Sequence, residues 1–132
     1  MRRLPRLAVA ALLLAATVTA GCAARGPVTV TITIHYSAFD LTDVHVPVGV
    51  PVTFVLVNED PIDHEWLVGD AAFHARHRTG TEAVHGDRPD EVSLLPLSPK
   101  TTTLTLPAGT YVYICHFPLH EQYGMIGIVT AK

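Results

Sequence analysis

The sequence predicts an all-β sandwich of seven or eight strands behind a short leader. Three observations carry this. Several stretches of five to nine residues are rich in β-branched or aromatic side chains, and the first of them alternates strictly between apolar and polar. Pro- and Gly-containing turns separate these stretches, as at Pro47-Val48-Gly49 and Pro107-Ala108-Gly109. The chain has no internal repeat, and its 132 residues give room for one domain.

Residues 1–21 read as an export signal. Arg2, Arg3 and Arg6 supply the positive start, and residues 7–18 an apolar run too short for a comfortable membrane span. Thr19-Ala20-Gly21-Cys22 resembles the lipobox of bacterial lipoproteins. Cys22 is therefore expected to be lipidated and to become the new N-terminus. Residues 22–27 would then tether the domain outside the cytoplasm, at the cell surface or in the periplasm, with the lipid in a membrane. Ordinary secretory cleavage near Ala20 is the alternative. Losing the three leader arginines takes the net charge from −3 to −6, which argues against nucleic acid as a partner. The second cysteine, Cys115, lies deep in the expected fold, so a disulfide to Cys22 is not expected.

The domain proper spans residues 28–132. In residues 28–36, Val28, Val30, Ile32, Ile34 and Tyr36 share one face, while three threonines and His35 share the other, which is a half-buried strand. Phe39 and Leu41 are expected to plug one end of the core. Residues 44–46 lead to a turn, with His45 at the surface. Residues 52–57 are almost continuously apolar and read as a buried strand. Asn58-Glu59-Asp60-Pro61 interrupts it, and residues 63–68 resume with His64, Trp66 and Val68 on one face.

Residues 69–90 are long for a loop, so they are functional or carry a short helix around residues 71–78. His74, His77 and His85 lie here. His74 and His77 could share a helix face and form a second metal site. A solvated polar insertion is favoured, because neither carboxylate nor thiol ligands cluster with them. Residues 91–95 and 100–106 read as strands around a Pro96–Pro99 corner. Residues 110–115 form the strand that delivers Cys115, with Tyr111 and Tyr113 expected to wall its side. Residues 125–130 form the last strand.

Between those last two strands, Cys115, His120 and Met125 recur at intervals of five residues. A soft thiolate, an imidazole and a weak thioether suit copper better than other common metals. The set needs a second nitrogen, and His64 at the head of its apolar stripe is the candidate. Two histidines and a cysteine in one plane, with a distant methionine, make an electron-transfer copper centre.

An early His followed by Cys115-x4-His120-x4-Met125 resembles the cupredoxins, the small blue copper proteins, over residues 28–132. The resemblance implies a Greek-key β-sandwich or barrel with one type 1 copper ion at one end, held by His64, Cys115, His120 and Met125. Many cupredoxins place Asn directly after the first ligand His, tying the ligand loops together. Glu65 stands there, and Asn58 is expected to tie them from the preceding strand. Tyr113 and His116 are expected close to the ligands. The resemblance also implies an apolar docking patch for a redox partner around Phe117, Pro118 and Leu119, on a monomer.

Cys115-His116-x3-His120-x4-Met125 also resembles the last domain of multicopper oxidases. That family places a His just before the Cys, where Ile114 stands, and needs His-x-His pairs, which this sequence lacks. No nucleophile–base pair or paired carboxylates stand out either, so no enzyme is expected. The expectation is a carrier whose copper cycles between Cu(I) and Cu(II). The alternative is a copper chaperone or sensor that hands the metal to a partner.

Overall fold

The computed structural model describes residues 26–81 and 88–132. The leader, Cys22 and His85 lie outside the described residues. In chain order the elements are β1 (Val28–Ile34), β2 (Asp43–Val46), β3 (Pro51–Asn58), β4 (His64–Gly69), α1 (Ala71–Thr79), β5 (Glu91–Leu94), β6 (Pro99–Thr105), β7 (Gly109–Ile114) and β8 (Ile126–Ala131). The strands form two sheets, one ordered β1-β3-β6 and the other β2-β8-β7-β4-β5. β1 runs parallel to β3, and β2 parallel to β8; the other pairings are antiparallel. This is the sandwich the sequence predicts, with eight strands among the described residues.

The alternation sets which faces meet. Val30 pairs with Phe54 and Ile32 with Leu56, so the inward rows of β1 and β3 stay in step. They close on Trp66, Val68, Tyr113 and Val129 of the larger sheet. Three fully buried rings, Phe54, Trp66 and Tyr113, bridge the layers, with centroids 5.0 Å and 5.9 Å apart in succession. Outside, the smaller sheet carries threonines: Thr53 and Thr103 pair across β3 and β6 with hydroxyl oxygens 3.3 Å apart.

Several local expectations change. β3 is not buried on both faces: Val52, Phe54, Leu56 and Asn58 point inward, while Thr53, Val55 and Val57 are only partly covered. β1 stops at Ile34, because Tyr36 and Ser37 turn the chain with positive φ, and Tyr36 is 85 % exposed. Phe39 plugs the core edge-on to Tyr113, but Leu41 contributes its carbonyl, to the Tyr113 hydroxyl, and leaves its side chain partly outside.

The helix around residues 71–78 is present with both ends sealed. Asp70 caps it, its carboxylate accepting from Phe73 N–H at 2.7 Å, and Gly80 ends it at φ 65°, a left-handed C-cap. Gly69 lets the helix return close to β4, since a Cβ there would sit 2.6 Å from Phe73 Cγ.

The antiparallel order of β4, β7 and β8 brings three chain points to one end of the larger sheet: the start of β4, the end of β7 and the start of β8. They carry His64, Cys115 and Met125.

Candidate metal centre

His64 and Cys115 are fully buried and His120 is half-buried. One donor atom from each lies within 4.8 Å of the others. Cys115 Sγ stands 4.0 Å from His64 Nδ1 and 3.3 Å from His120 Nδ1. An ion about 2.3 Å from sulfur and about 2.0 Å from nitrogen, at trigonal angles, would separate sulfur from nitrogen by about 3.7 Å. The two observed distances bracket that value. Both histidines therefore present Nδ1 to one point beside the thiol.

The loop from Cys115 to Met125 is wound by its own backbone. His120 N–H donates to Phe117 C=O at 3.0 Å, Tyr123 N–H to Leu119 C=O at 2.9 Å, and Met125 N–H to His120 C=O at 3.0 Å. Cys115 N–H then donates to Met125 C=O at 3.2 Å, which closes the loop and brings the fully buried Met125 next to Cys115 along the backbone. A thiol and two imidazoles, with a thioether next along the loop, make a soft set that fits copper.

Burial, the largest cause, pushes the Cys115 thiol up to about 11. Burial first, and then His64 nearby, hold the His120 imidazole below its usual range, which favours the neutral form a metal needs.

Two carboxylates whose bonds the sequence did not reveal flank this set. Asp60 Oδ2 lies 2.9 Å from His64 Nε2, the ring nitrogen facing away from the thiol. Burial alone would raise the Asp60 carboxyl, but hydrogen bonds from Ser37, Tyr36 and His64 outweigh it and hold the group below the carboxylate range. Glu65 accepts from His116 N–H at 2.8 Å. This bond ties the residue after His64 to the residue after Cys115. The tie expected of Asn58 thus comes from Glu65. The Asn58 amide donates instead to Ile62 and Leu95 carbonyls, at 2.8 and 2.9 Å, and accepts from Asp60 N–H, so it shapes the approach to His64.

Tyr113 lies in the core, against Phe39 and Trp66. Tyr111 turns its hydroxyl to Pro107 C=O at 3.0 Å, at the far end of β7 from Cys115, so it does not wall the site. The α1 insertion is not a solvated loop: His74 is buried, with Nε2 2.9 Å from Val112 C=O and Nδ1 2.9 Å from His116 Nε2. The His116 ring, buried in turn, has Nδ1 3.3 Å from Glu121. His77 lies 3.6 Å from Glu65, and Arg78 pairs with Glu121. Thus α1 grips the ligand loop at His116 and Glu121, and also touches β7 at Val112 and β4 at Glu65. Among the described residues its histidines do not converge on a donor cluster like that of His64, Cys115 and His120. A cleft of about 250 Å³, bordered by His77, His116, Pro118 and Leu119, opens beside this contact.

A family profile described as a cupredoxin-like domain matches residues 6–129. The copper-resistant cuproprotein CopI of Pseudomonas aeruginosa is 30 % identical, over 67 % of this chain and 67 % of that protein. Among solved structures, the dithionite-reduced auracyanin of Roseiflexus castenholzii aligns with a TM-score of 0.65 at 26 % identity, covering 79 % of this chain and 96 % of that one. Auracyanin A of Chloroflexus aurantiacus, described as a blue copper protein, aligns at 0.62 and 27 % identity, covering 81 % and 100 %.

Proposed function

The chain belongs to the cupredoxin-like domain family, and on that premise we propose that it holds one type 1 copper ion and carries single electrons outside the cytoplasm. The convergence of His64 Nδ1, His120 Nδ1 and Cys115 Sγ carries the proposal. Met125 is its fourth, weak donor. Copper, when bound, supplies a one-electron change between Cu(I) and Cu(II).

The chain's part is to keep the donors still. Cu(I) and Cu(II) prefer different geometries, and a set held by strand ends can impose one compromise on both. His64 is fixed by β4 and by Asp60, Cys115 by β7, and His120 by the wound loop. Glu65 locks the first two segments together. His120 is the half-buried donor, and Phe117, Pro118 and Leu119 surround its approach, Leu119 being 55 % exposed. That patch is where a redox partner would dock. Cys22, if lipidated, would hold the carrier at a membrane face.

The resemblance to a copper-resistant cuproprotein favours a second reading, in which the same site binds copper to hand it on. Copper(II) added to residues 28–132 should give an intense thiolate-to-copper absorption and a blue or green colour, and Cys115→Ser should abolish it. A colourless protein that prefers zinc under the same conditions contradicts both readings.

A further inference from the structure

Asp60 lies in the loop between β3 and β4 and is only 5 % exposed. Its carboxylate accepts Tyr36 N–H on Oδ1 and Ser37 N–H on Oδ2, each at 2.7 Å. Those two residues are the centre of a tight turn closed by His35 N–H to Ala38 C=O at 3.1 Å and Ala38 N–H to His35 C=O at 3.2 Å. Their φ angles are 54° and 53°, a pairing that usually calls for Asn-Gly. Tyr and Ser hold that left-handed backbone against their steric preference. The result is a pair of successive N–H groups aimed at one anion. The third contact of the carboxylate is His64 Nε2 at 2.9 Å. Asp60 is fixed from its own backbone too, by Asn58 Oδ1 on its N–H at 3.0 Å and by Leu97 N–H on its carbonyl at 3.0 Å.

Three donors converging on one carboxyl group suit its acceptor-only, ionised form. His64 must then carry its proton on Nε2, which leaves the Nδ1 lone pair facing Cys115. We propose that Asp60 is a positioning residue for the copper centre: through His64 it fixes the ring tautomer and orientation and donates electron density to the metal-binding nitrogen. A negative charge behind a ligand favours the more highly charged copper state, so Asp60 lowers the reduction potential and strengthens Cu(II) more than Cu(I) binding. The two N–H groups of the turn at Tyr36 and Ser37 hold that charge in place.

The inference rests on the copper reading for its effect on potential, but not for the tautomer, so two measurements separate them. In the metal-free domain, ¹⁵N NMR of the imidazoles should show His64 as the Nε2–H tautomer with a slowly exchanging proton, lost in Asp60→Ala. In the copper-loaded domain, Asp60→Asn keeps an oxygen for His64 but removes the charge. It should raise the potential and weaken Cu(II) binding about 10- to 100-fold, with a smaller loss for Cu(I). Tyr36→Gly with Ser37→Gly relieves the turn and keeps both N–H donors, so it should stabilise the fold and leave the potential unchanged. An Nδ1–H tautomer in the wild-type domain overturns the inference. So does an Asp60→Asn variant with an unmoved potential and an unmoved ratio of Cu(II) to Cu(I) affinity. A wild-type domain that takes up no copper overturns the functional reading, while the NMR result still decides the tautomer.

Discussion

Cys115 is a thiol that the fold makes hard to ionise and that copper must ionise. With burial pushing it up to about 11, the metal-free domain holds the proton at neutral pH. Copper uptake near pH 7.5 should therefore release about one proton per ion from wild type and none from Cys115→Ser, read by pH-stat titration. The Met125 thioether is expected to act differently. Met125→Gln should lower the reduction potential with copper retained, since an axial donor binds weakly and tunes more than it holds. Voltammetry of both proteins checks this. His74 answers to pH instead. Burial, the main cause, lowers its pKa, and His116 is held down to about 4, chiefly by burial and then by its histidine neighbours. Folded pKa values below the unfolded value of about 6.5 mean that the unfolded chain takes up these protons first. Their contribution is complete above about pH 6.5 and is lost as pH falls toward the folded values. Urea unfolding of the metal-free domain should give less stability at pH 5 than at pH 7.5, and His74→Gln should flatten that slope. Cys115, His120 and Met125 were legible because residue type and spacing mark them. Glu65 and Asp60 were not: one stands where Asn is usual, and the other is recruited by a left-handed turn that Tyr-Ser does not announce.

At the scale of elements, the larger sheet sets the donors' positions and α1 braces the loop between β7 and β8. The brace is mostly polar and partly exposed. Arg78 is half in solvent, so its pair with Glu121, although it lowers the Glu121 carboxyl, should be worth under about 1 kcal/mol. Replacing Asp70 by Ala should cost more, about 1 kcal/mol, because it strips the helix cap. The tighter constraint is within the sheet. Gly127 pairs with Tyr113 across β7 and β8, and a Cβ there would sit 2.2 Å from Tyr113 Cζ, closer than any contact allows. Gly127→Ala should destabilise the domain by about 1 to 3 kcal/mol, measured by thermal or urea unfolding. The helix itself was legible as one reading of a segment, residues 69–90, that is long for a loop. Its docking was not, because the partners of His74, Val112 and His116, lie about forty residues onward in the chain. The ends of β1 and β3's half-exposed face escaped for a related reason. Tyr36 and Val55 are as strand-like as their neighbours, and only the turn and the sheet's outer surface decide their exposure.

For the whole molecule, alternating strands and turn residues were enough for an all-β sandwich of seven or eight strands. They could not give the pairing of β1 with β3 or of β2 with β8, which run parallel between strands far apart in sequence. What the fold accomplishes is to collect donors from residues 64, 115 and 120 at one end of the core, near the buried Met125, with one imidazole toward the surface. A site so held should keep its metal through both oxidation states, and that separates a carrier from a protein that hands copper on. Cyclic voltammetry of the copper-loaded domain, with a Cu(I) chelator of modest affinity present, measures this directly. The account expects a reversible one-electron wave that survives repeated cycles with the copper still bound. Loss of the wave as Cu(I) passes to the chelator after the first reduction would contradict it.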